Sequence, residues 1–314
     1  MRRGKDQLKT YARLTGFSIF TGASFNLAKY TVGYFSPFAA AAWRFGLAAA
    51  VLLIIAAVTE GIRRDRIKRN ASWYIALGLV GILGFSTLFF AGLQFTSSVN
   101  GALIMALNPL LTTLMARMIL KDRIAKPQAA GIGLALIGVI IVVMHGSSGT
   151  LASFSIGDVI IFGGNLCWTF YGVCGRRFIQ EGSPLSTTAY TMSVGAIGLT
   201  AVSLFAHNPV ALPSIPIGAW GAIVFMGLFT SVFGYLWWNK GITDIGAGKT
   251  SLFFNLVPVV TMLVSFVTGT PVTFIQILGA AFVILGVLAA SGAFAGRRGS
   301  ARLIESQRAS ENKP

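Results

Sequence analysis

Trp168 and Tyr171 lie three residues apart in an apolar segment, which places both rings on one face of a helix. Trp168 follows about twelve residues of that segment and therefore lies roughly 18 Å from its start. Because a buried indole N–H or phenol O–H needs a hydrogen-bond partner, the pair is predicted to line a polar cavity, and packing in an ordinary core is the alternative. Phe85 and Phe89, four residues apart, are candidates for the apolar wall of this cavity. Other aromatic residues, Trp238 among them, fit the belts that Trp and Tyr form at membrane surfaces.

Two prolines, Pro109 and Pro258, interrupt apolar segments near their middle. Proline lacks the backbone N–H and frees the carbonyl four residues earlier, here that of Met105 and that of Phe254. Broken backbone at this depth is tolerated only against protein or a water-filled cavity. The two prolines are therefore predicted to be conformational hinges beside a cavity.

Three asparagines accompany these features: Asn26 in the first apolar segment, Asn108 next to Pro109, and Asn255 three residues before Pro258. Their carboxamides, together with the freed carbonyls, could accept the ammonium group of a zwitterionic solute. The alternative is a packed kink in which asparagine ties two helices together.

Lys29 and Arg44 are the two cations inside the apolar segments that do not adjoin a basic link or tail. A charge at the bilayer centre costs about 3 kcal/mol on insertion scales, and less near the interface. Either residue could bind a substrate carboxylate or the carbonyl end of a helix, or could extend to the outer headgroups. The sequence has no Asp or Glu deep in an apolar segment, so no proton-coupling carboxylate is predicted.

The sequence also lacks the signatures of several enzyme classes. It contains no HExxH motif of a metalloprotease, no pair of intramembrane aspartates, and no GxxxxGK[ST] loop for binding ATP. The chain is therefore predicted not to be an enzyme and to need neither a metal nor a cofactor.

Membrane-spanning helices must position these residues. Of the 314 residues, 54% are hydrophobic and 11% charged, with a mean hydropathy of +0.74, whereas a soluble domain carries about 25% charged residues. A helix needs about 20 apolar residues to span a bilayer. Ten segments qualify: 14–35, 38–59, 72–95, 98–120, 127–144, 156–175, 185–206, 217–238, 246–268 and 274–294.

The distribution of charge predicts the orientation of these spans. The chain has 25 Lys and Arg against 9 Asp and Glu, a formal net charge of +16. All cations except Lys29 and Arg44 fall in the two tails or in and beside alternate links, on one side of the membrane. The positive-inside rule places both termini in the cytoplasm and explains the basic charge without a nucleic-acid partner.

The chain also repeats itself. The spacing QxxG, followed seven residues later by glycine, begins at Gln128 and again at Gln276, 148 residues later, and Pro109 corresponds to Pro258. Each half has five spans, an odd number, so the second half enters the membrane from the opposite side, as in many transporters.

The predicted fold is thus an all-α integral membrane protein of ten transmembrane helices, arranged as an inverted 5+5 repeat with both termini cytoplasmic. Its predicted parts are a basic cytoplasmic N-terminus at 1–13, five-helix repeats at 14–150 and 151–296, and a disordered cytoplasmic tail at 297–314.

These residues resemble the drug/metabolite transporter superfamily in its ten-helix form with two EamA-type domains. FTGASFNLAKY is similar to the first helix of that family with its final lysine, here Lys29, and AAWRF to its second helix with Arg44. NPLLTTLMARMILKDRI with QAAGIGLALIGVI, and NLVPVVTMLVSFV with QILGAAFVILGV, resemble the last two helices of each domain. CWTFYGVCGRR resembles the start of the second domain. GTPVTF departs from the glycine-glutamate turn that the family often has between its last two helices.

The resemblance covers roughly residues 14–294. Within the superfamily the chain is most similar to the YddG-type bacterial exporters of aromatic amino acids. The resemblance implies a multi-pass protein of the bacterial inner membrane, with the lipid bilayer and a small-molecule substrate, an amino acid, as partners.

We therefore expect a secondary carrier that exports small metabolites, in particular amino acids and by preference aromatic ones, by alternating access without ATP. A first alternative is a carrier of organic anions or phosphorylated sugars, selected by Lys29 and Arg44. A second alternative, from another class, is a lipid scramblase or membrane enzyme.

Overall fold

The computed structural model describes residues 2–120, 155–205 and 215–290, and within 130–141 all but residues 132, 135 and 139. The regular elements of these residues are all helical. The fifth predicted span, 127–144, lies largely outside the described residues, as do Gln128 and the predicted tail.

Eight elements with defined bounds lie among the described residues up to residue 178. They are α1 (Arg2–Thr31), α2 (Pro37–Thr59), α3 (Arg64–Ala76), a first π segment (Leu77–Gly84), α4 (Phe85–Phe95), α5 (Ser98–Met105), α6 (Asn108–Leu120) and α7 (Ile156–Phe178).

The elements after residue 178 are again α-helices with one π segment, and they include a 3-10 turn. They are α8 (Pro184–Phe205), α9 (Ile217–Phe225), a second π segment (Met226–Gly234), α10 (Tyr235–Ile245), α11 (Ala247–Ser251), a 3-10 turn (Leu252–Asn255), α12 (Leu256–Val267) and α13 (Phe274–Ala290).

Seven helices among the described residues are long and apolar enough to cross a membrane, and they match the second, third, fourth and sixth to ninth predicted spans. A further apolar helix at Phe274–Gly286 is shorter. Helix α1 is not one of the seven, since basic and polar residues are distributed along its whole length. The chain is a multi-pass helical membrane protein, and the count of ten stays a prediction.

The second and seventh spans begin in the same way. The hydroxyl oxygen of Ser36 accepts a hydrogen bond from the backbone N–H of Ala39, and proline occupies the next position. The hydroxyl oxygen of Ser183 accepts from the backbone N–H of Ser186, at 2.9 Å, again just before a proline. Such caps satisfy backbone donors that a helix start leaves free.

The third and eighth spans each contain a π-helical segment. The first π segment has 8 residues and the second has 9, and each ends in glycine, at Gly84 and Gly234. An α-helix of 11 residues follows each segment. π-helical turns are rare and frequently occur at functional sites.

Helices from the two predicted halves pack on each other, and both contribute to a large hydrophobic core. Helix α1 packs on α12, α10 and the second π segment, which belong to the ninth and eighth spans. Helix α7 packs on α4, α6 and the first π segment, which belong to the third and fourth spans. Helices α2 and α8 pack together. The inverted repeat itself stays a prediction.

Glycine allows a close approach between the first π segment and α7. A Cβ atom added at Gly81 would lie 2.6 Å from the Cβ atom of Tyr171. A larger side chain would fit there only after a shift of its neighbours, so the close approach of the first π segment to α7 requires glycine at this position.

Candidate functional site

A narrow cavity is lined by residues of α1, α2, α4, α5, α7, the second π segment, α10 and the 3-10 turn. The volume of this cavity is about 20 Å³. This conformation therefore accommodates water rather than a solute the size of an amino acid. The lining residues are Phe17, Thr21, Ser24, Phe25, Arg44, Phe85, Phe89, Met105, Trp168, Thr230, Tyr235 and Phe254.

Aromatic rings form most of the cavity wall. The ring of Trp168 lies 5.1 Å from that of Phe85, 4.8 Å from that of Tyr235 and 6.0 Å from that of Phe254, measured between centroids. The ring of Phe89 lies 5.5 Å from that of Phe85. The predicted site residues Trp168, Phe85 and Phe89 are thus brought together.

Arg44 contributes a cation to the cavity lining. Its side chain is 3% exposed, and its Nε donates to the hydroxyl oxygen of Ser231 at 2.9 Å. The guanidinium carbon lies 4.9 Å from the ring centre of Phe45 and 5.9 Å from that of Phe90. Arg44 therefore lies in the protein interior and does not extend to the outer headgroups.

None of the described carboxylates lines the cavity. Asp65 lies exposed in the first turn of α3, and four others are bonded elsewhere. Their partners are Ser183 for Glu60 at 2.7 Å, Arg69 for Glu181 at 3.0 Å, Lys240 for Asp244 at 2.6 Å and Thr96 for Asp158 at 2.5 Å. Within the ranges described above, no three His, Cys, Asp or Glu side chains lie close enough together to hold a metal ion.

Three buried polar atoms of the lining have no hydrogen-bond partner in the described part of the chain. They are the hydroxyl of Thr21, the indole Nε1 of Trp168 and the hydroxyl of Tyr235. By contrast, the hydroxyls of Ser24 and Thr230 donate to backbone carbonyls of α1. The three unpartnered groups can all donate a hydrogen bond, and a bound solute could supply the acceptor.

Lys29 is outside the cavity lining. Its Nζ donates to the carbonyl oxygen of Leu93 at 2.6 Å and to that of Gln94 at 3.4 Å. These carbonyls belong to the last turn of α4, where the helix dipole favours a positive charge. Of the roles considered for Lys29, this geometry matches binding to the carbonyl end of a helix.

Tyr171 lies behind Trp168 and not in the lining. Its hydroxyl oxygen accepts from Nδ2 of Asn239 at 2.8 Å and lies 3.4 Å from the hydroxyl oxygen of Thr191. The two rings of Tyr171 and Trp168 are stacked with their centroids 5.8 Å apart. Tyr171 therefore supports the cavity wall from outside.

Asn26 ties three helices together. Its Nδ2 donates to the carbonyl oxygen of Thr261 at 3.0 Å, and its Oδ1 accepts from the hydroxyls of Ser98 and Ser265, both at 2.8 Å. All polar atoms of this carboxamide thus serve packing between α1, α5 and α12.

Asn108 joins the fourth span to the sixth. Its Nδ2 donates to Oδ1 of Asn165 at 3.0 Å and to the hydroxyl oxygen of Thr169 at 3.1 Å. In turn Nδ2 of Asn165 donates to the carbonyl oxygen of Met105, at 3.3 Å. The helix is interrupted between α5 and α6, as expected from Pro109.

The ninth span is interrupted before Pro258. Helix α11 gives way to the 3-10 turn, which ends at Asn255, and α12 begins at Leu256. The Nδ2 of Asn255 donates to the carbonyl oxygen of Leu252, and its Oδ1 is buried without a partner in the described residues. Asn255 does not line the cavity. Whether either proline acts as a hinge stays a prediction.

Sequence reasoning missed Tyr235 and placed Trp238 wrongly. Trp238 is buried instead of lying in a surface belt, and its ring packs 5.4 Å from Trp168 and 5.1 Å from Phe254. Tyr235 and Trp238 lie three residues apart, the spacing that had singled out Trp168 and Tyr171. Trp238 ends the predicted eighth span, so depth in the span, which favoured Trp168, did not favour this pair.

Comparison with known proteins identifies the family. The model of the EamA-like transporter family matches this chain twice, at residues 11–144 and 155–292. The two matches cover most of the 314 residues. The chain belongs to the EamA-like transporter family.

Relatives of this chain are named as transporters. "Uncharacterized transporter YyaM" of Bacillus subtilis (strain 168) is 64% identical over 287 residues, which are 91% of this chain and 94% of that protein. The "Probable terminal-alkyne amino-acid exporter" of Streptantibioticus cattleyicolor is 24% identical over 251 residues, 80% of this chain and 82% of that protein.

A solved crystal structure shares the fold, with a TM-score of 0.64 and 22% sequence identity, and the match covers 92% of this chain and 98% of that chain. Neither of the two relatives named above is called an aromatic amino-acid exporter. The likeness to YddG-type exporters therefore stays a prediction.

Proposed function

We propose that this protein is a secondary carrier that exports small metabolites, in particular amino acids and by preference aromatic ones. The observation that carries the proposal is the wall of aromatic rings around the cavity, in which Trp168 contacts Phe85, Tyr235 and Phe254. Cavities for small molecules are lined mainly by apolar and aromatic side chains with a few placed polar groups. The name of the relative from Streptantibioticus, an amino-acid exporter, agrees with this class of solute.

Alternating access is the proposed mechanism. The matching π segments, the interruptions before Pro109 and Pro258, and the packing of each half on the other support two halves that exchange conformations. The small space in the cavity suits a conformation closed around the site. A carrier of this kind would release a solute after the helices around the cavity have moved apart.

The predicted site residues take two kinds of role in this proposal. Trp168, Phe85 and Phe89 contact the solute, and Arg44 supplies the charge of the site. The remaining residues position the helices by their hydrogen bonds or by their interruption of a helix: Tyr171, Asn26, Asn108, Asn255, Lys29, Pro109 and Pro258.

The carrier is proposed to be a facilitator in the bacterial inner membrane with both termini in the cytoplasm. The apolar segments contain no deep Asp or Glu that could couple transport to protons. Cytoplasmic termini follow from the excess of Lys and Arg in the tails and alternate links. The gradient of the solute itself would then drive export.

Uptake into proteoliposomes tests the proposal. The labelled solutes would be tryptophan, phenylalanine, threonine and a phosphorylated sugar, each with and without a pH gradient. We expect uptake of the aromatic amino acids that is faster than that of threonine and indifferent to the gradient. Accumulation only with a gradient would overturn the facilitator mechanism, and transport of the sugar phosphate alone would overturn the amino-acid specificity.

The buried cation Arg44 favours a second candidate, a carrier of organic anions. The position of Lys29 argues against a phosphorylated sugar, because its ammonium binds carbonyls of α4 and lies outside the cavity lining. With one cation in its described lining, the cavity is better matched to a monoanion or a zwitterion than to a dianion.

A further inference from the structure

We propose that the cavity binds a carboxylate through the guanidinium group of Arg44, and that this contact selects solutes with one carboxylate. The inference rests on the proposed carrier function and names the chemical group that its site recognises. Such a site binds amino acids and aromatic carboxylates and rejects amines and amides of the same shape.

The first argument is that the guanidinium group of Arg44 has few hydrogen-bond acceptors. The guanidinium group has five N–H donors, and within the described residues Ser231 is its one hydrogen-bond acceptor, bonded to Nε. The rings of Phe45 and Phe90 lie close to the cation, but a ring does not neutralise a charge. A side chain that is 3% exposed and lines the cavity thus has terminal nitrogens without an acceptor among the described residues.

The second argument is the charge around the cavity. A buried cation is costly unless an anion and hydrogen-bond acceptors compensate it. The described carboxylates Glu60, Asp158, Glu181 and Asp244 have other partners. A carboxylate on the solute supplies the one negative charge that balances Arg44, and its two oxygens match the planar fork of a guanidinium group.

The third argument is the set of unpartnered donors. Thr21, Trp168 and Tyr235 line the same cavity and present a hydroxyl, an indole N–H and a phenol O–H without an acceptor among the residues described. Two carboxylate oxygens offer about four acceptor positions, enough for Arg44 and for some of these donors. The aromatic rings then contact the apolar remainder of the solute.

The arrangement also predicts what the site rejects. An aromatic amine brings a second positive charge next to Arg44, and an amide brings no charge to balance it. Leaving a buried charge unpaired makes such solutes bind worse than their shape would suggest. The ammonium group of an amino acid is tolerated because its own carboxylate accompanies it.

Ligand-induced thermal stabilisation of the purified full-length chain tests the inference. The probes are phenylalanine, 3-phenylpropionate, phenylalaninamide and phenethylamine, which share a ring and differ in their charged groups. A ligand that binds the folded state raises Tm. We expect stabilisation by phenylalanine and 3-phenylpropionate and none by the other two.

Variants assign the effect to Arg44. Arg44→Gln should weaken binding of both carboxylates by about tenfold or more, as expected for loss of a charge-assisted hydrogen bond. Arg44→Lys should retain part of the affinity. The matched control is Arg177→Gln, which removes an exposed cation from the end of α7 and should leave the affinity unchanged.

Several results would overturn the inference: equal stabilisation by phenylalaninamide, no stabilisation by either carboxylate, or full affinity in Arg44→Gln. The probe set on the unsubstituted chain decides the matter even where Arg44→Gln does not fold. Binding of 3-phenylpropionate that needs Arg44, without uptake of any amino acid into liposomes, would overturn the export function and leave the carboxylate site intact. Amino-acid uptake that Arg44→Gln does not alter would overturn the carboxylate site and leave the export function intact.

Discussion

Asn165 donates a hydrogen bond of 3.3 Å to the carbonyl oxygen of Met105, the group that Pro109 leaves without its partner in the helix. The same Nδ2 atom lies 2.9 Å from the carbonyl oxygen of Ile104, and Oδ1 accepts from Asn108 at 3.0 Å. A side chain of the sixth span thus satisfies the break in the fourth. The interruption is held by packing between two helices and needs no water or ligand there.

Asn165→Ala is expected to destabilise the protein. The substitution leaves the carbonyls of Ile104 and Met105 and the carboxamide of Asn108 with fewer partners in a buried site, at a cost of about 1–3 kcal/mol for each group left unsatisfied. Thermal unfolding in detergent would show this as a lower Tm. Leu166→Ala, at the next and 40% exposed position, is the control and should change Tm less. Equal Tm values for the two variants would show that the break does not need Asn165.

Trp168→Ala is expected to reduce transport of aromatic amino acids more than that of threonine. The indole contacts Phe85 and Tyr235 in the cavity wall, and its removal takes apolar surface from a bound ring. Loss of about 60 Å² of apolar contact corresponds to about 1.5 kcal/mol, or roughly tenfold in kcat/KM. Trp43→Ala, at a 49% exposed position, is the matched control. Equal loss for aromatic and small substrates would argue against an aromatic site at Trp168.

The apolar part of the site could be predicted because helical periodicity determines it. Phe85 and Phe89 share a helix face through their i, i+4 spacing, and Trp168 lies deep in its own span. The structure places these three in the cavity lining together with Arg44. The proline interruptions followed in the same way from local backbone chemistry.

The polar groups could not be assigned because their partners come from distant parts of the chain. Asn26 bonds to residues 72 and 239 positions away, and Lys29 bonds to a carbonyl 64 positions away. Nothing in the local sequence distinguishes an asparagine that faces a cavity from one that joins two helices. Tyr235 was missed for a related reason, since its part in the wall depends on how the eighth span packs against the sixth.

Arg44→Met is expected to abolish carboxylate binding without lowering the stability of the ligand-free protein. Replacing a buried charge by an apolar side chain of similar size is often neutral or stabilising, by about 1–4 kcal/mol, when the charge lacks a full set of partners. The measurement is Tm without ligand, compared with Arg69→Met at an exposed ion pair. A large drop in Tm for Arg44→Met alone would indicate that Arg44 serves the fold and not the solute.

Lys29→Met is expected to leave solute selection unchanged. The ammonium binds the carbonyl end of α4, an interaction worth about 0.3–1 kcal/mol, and does not line the cavity. KM for phenylalanine should stay within about twofold of that of the unsubstituted protein while the maximal rate changes. Arg44→Gln is the comparison, since it should raise KM. A large rise in KM for Lys29→Met would place Lys29 at the solute after all.

Gly81→Ala is expected to disturb both stability and transport. The added Cβ atom would lie 2.6 Å from Cβ and 2.7 Å from Cδ2 of Tyr171. The phenol ring cannot move aside without cost, because its hydroxyl is hydrogen-bonded to Asn239 and the ring is stacked on that of Trp168. The first π segment and α7 must therefore separate, at an overpacking cost of about 1–3 kcal/mol.

The control for this prediction is Gly46→Ala in α2, where an added Cβ atom has no neighbour within 4 Å. Alanine is the better helix former, so this variant should keep or raise Tm. Gly81→Ala should lower Tm and slow uptake of aromatic amino acids, since displacement of α7 moves Trp168 within the wall. An unchanged Tm in both variants would mean that α7 tolerates displacement from the first π segment. In that case the position of Trp168 would depend on its aromatic neighbours and not on the close approach at Gly81.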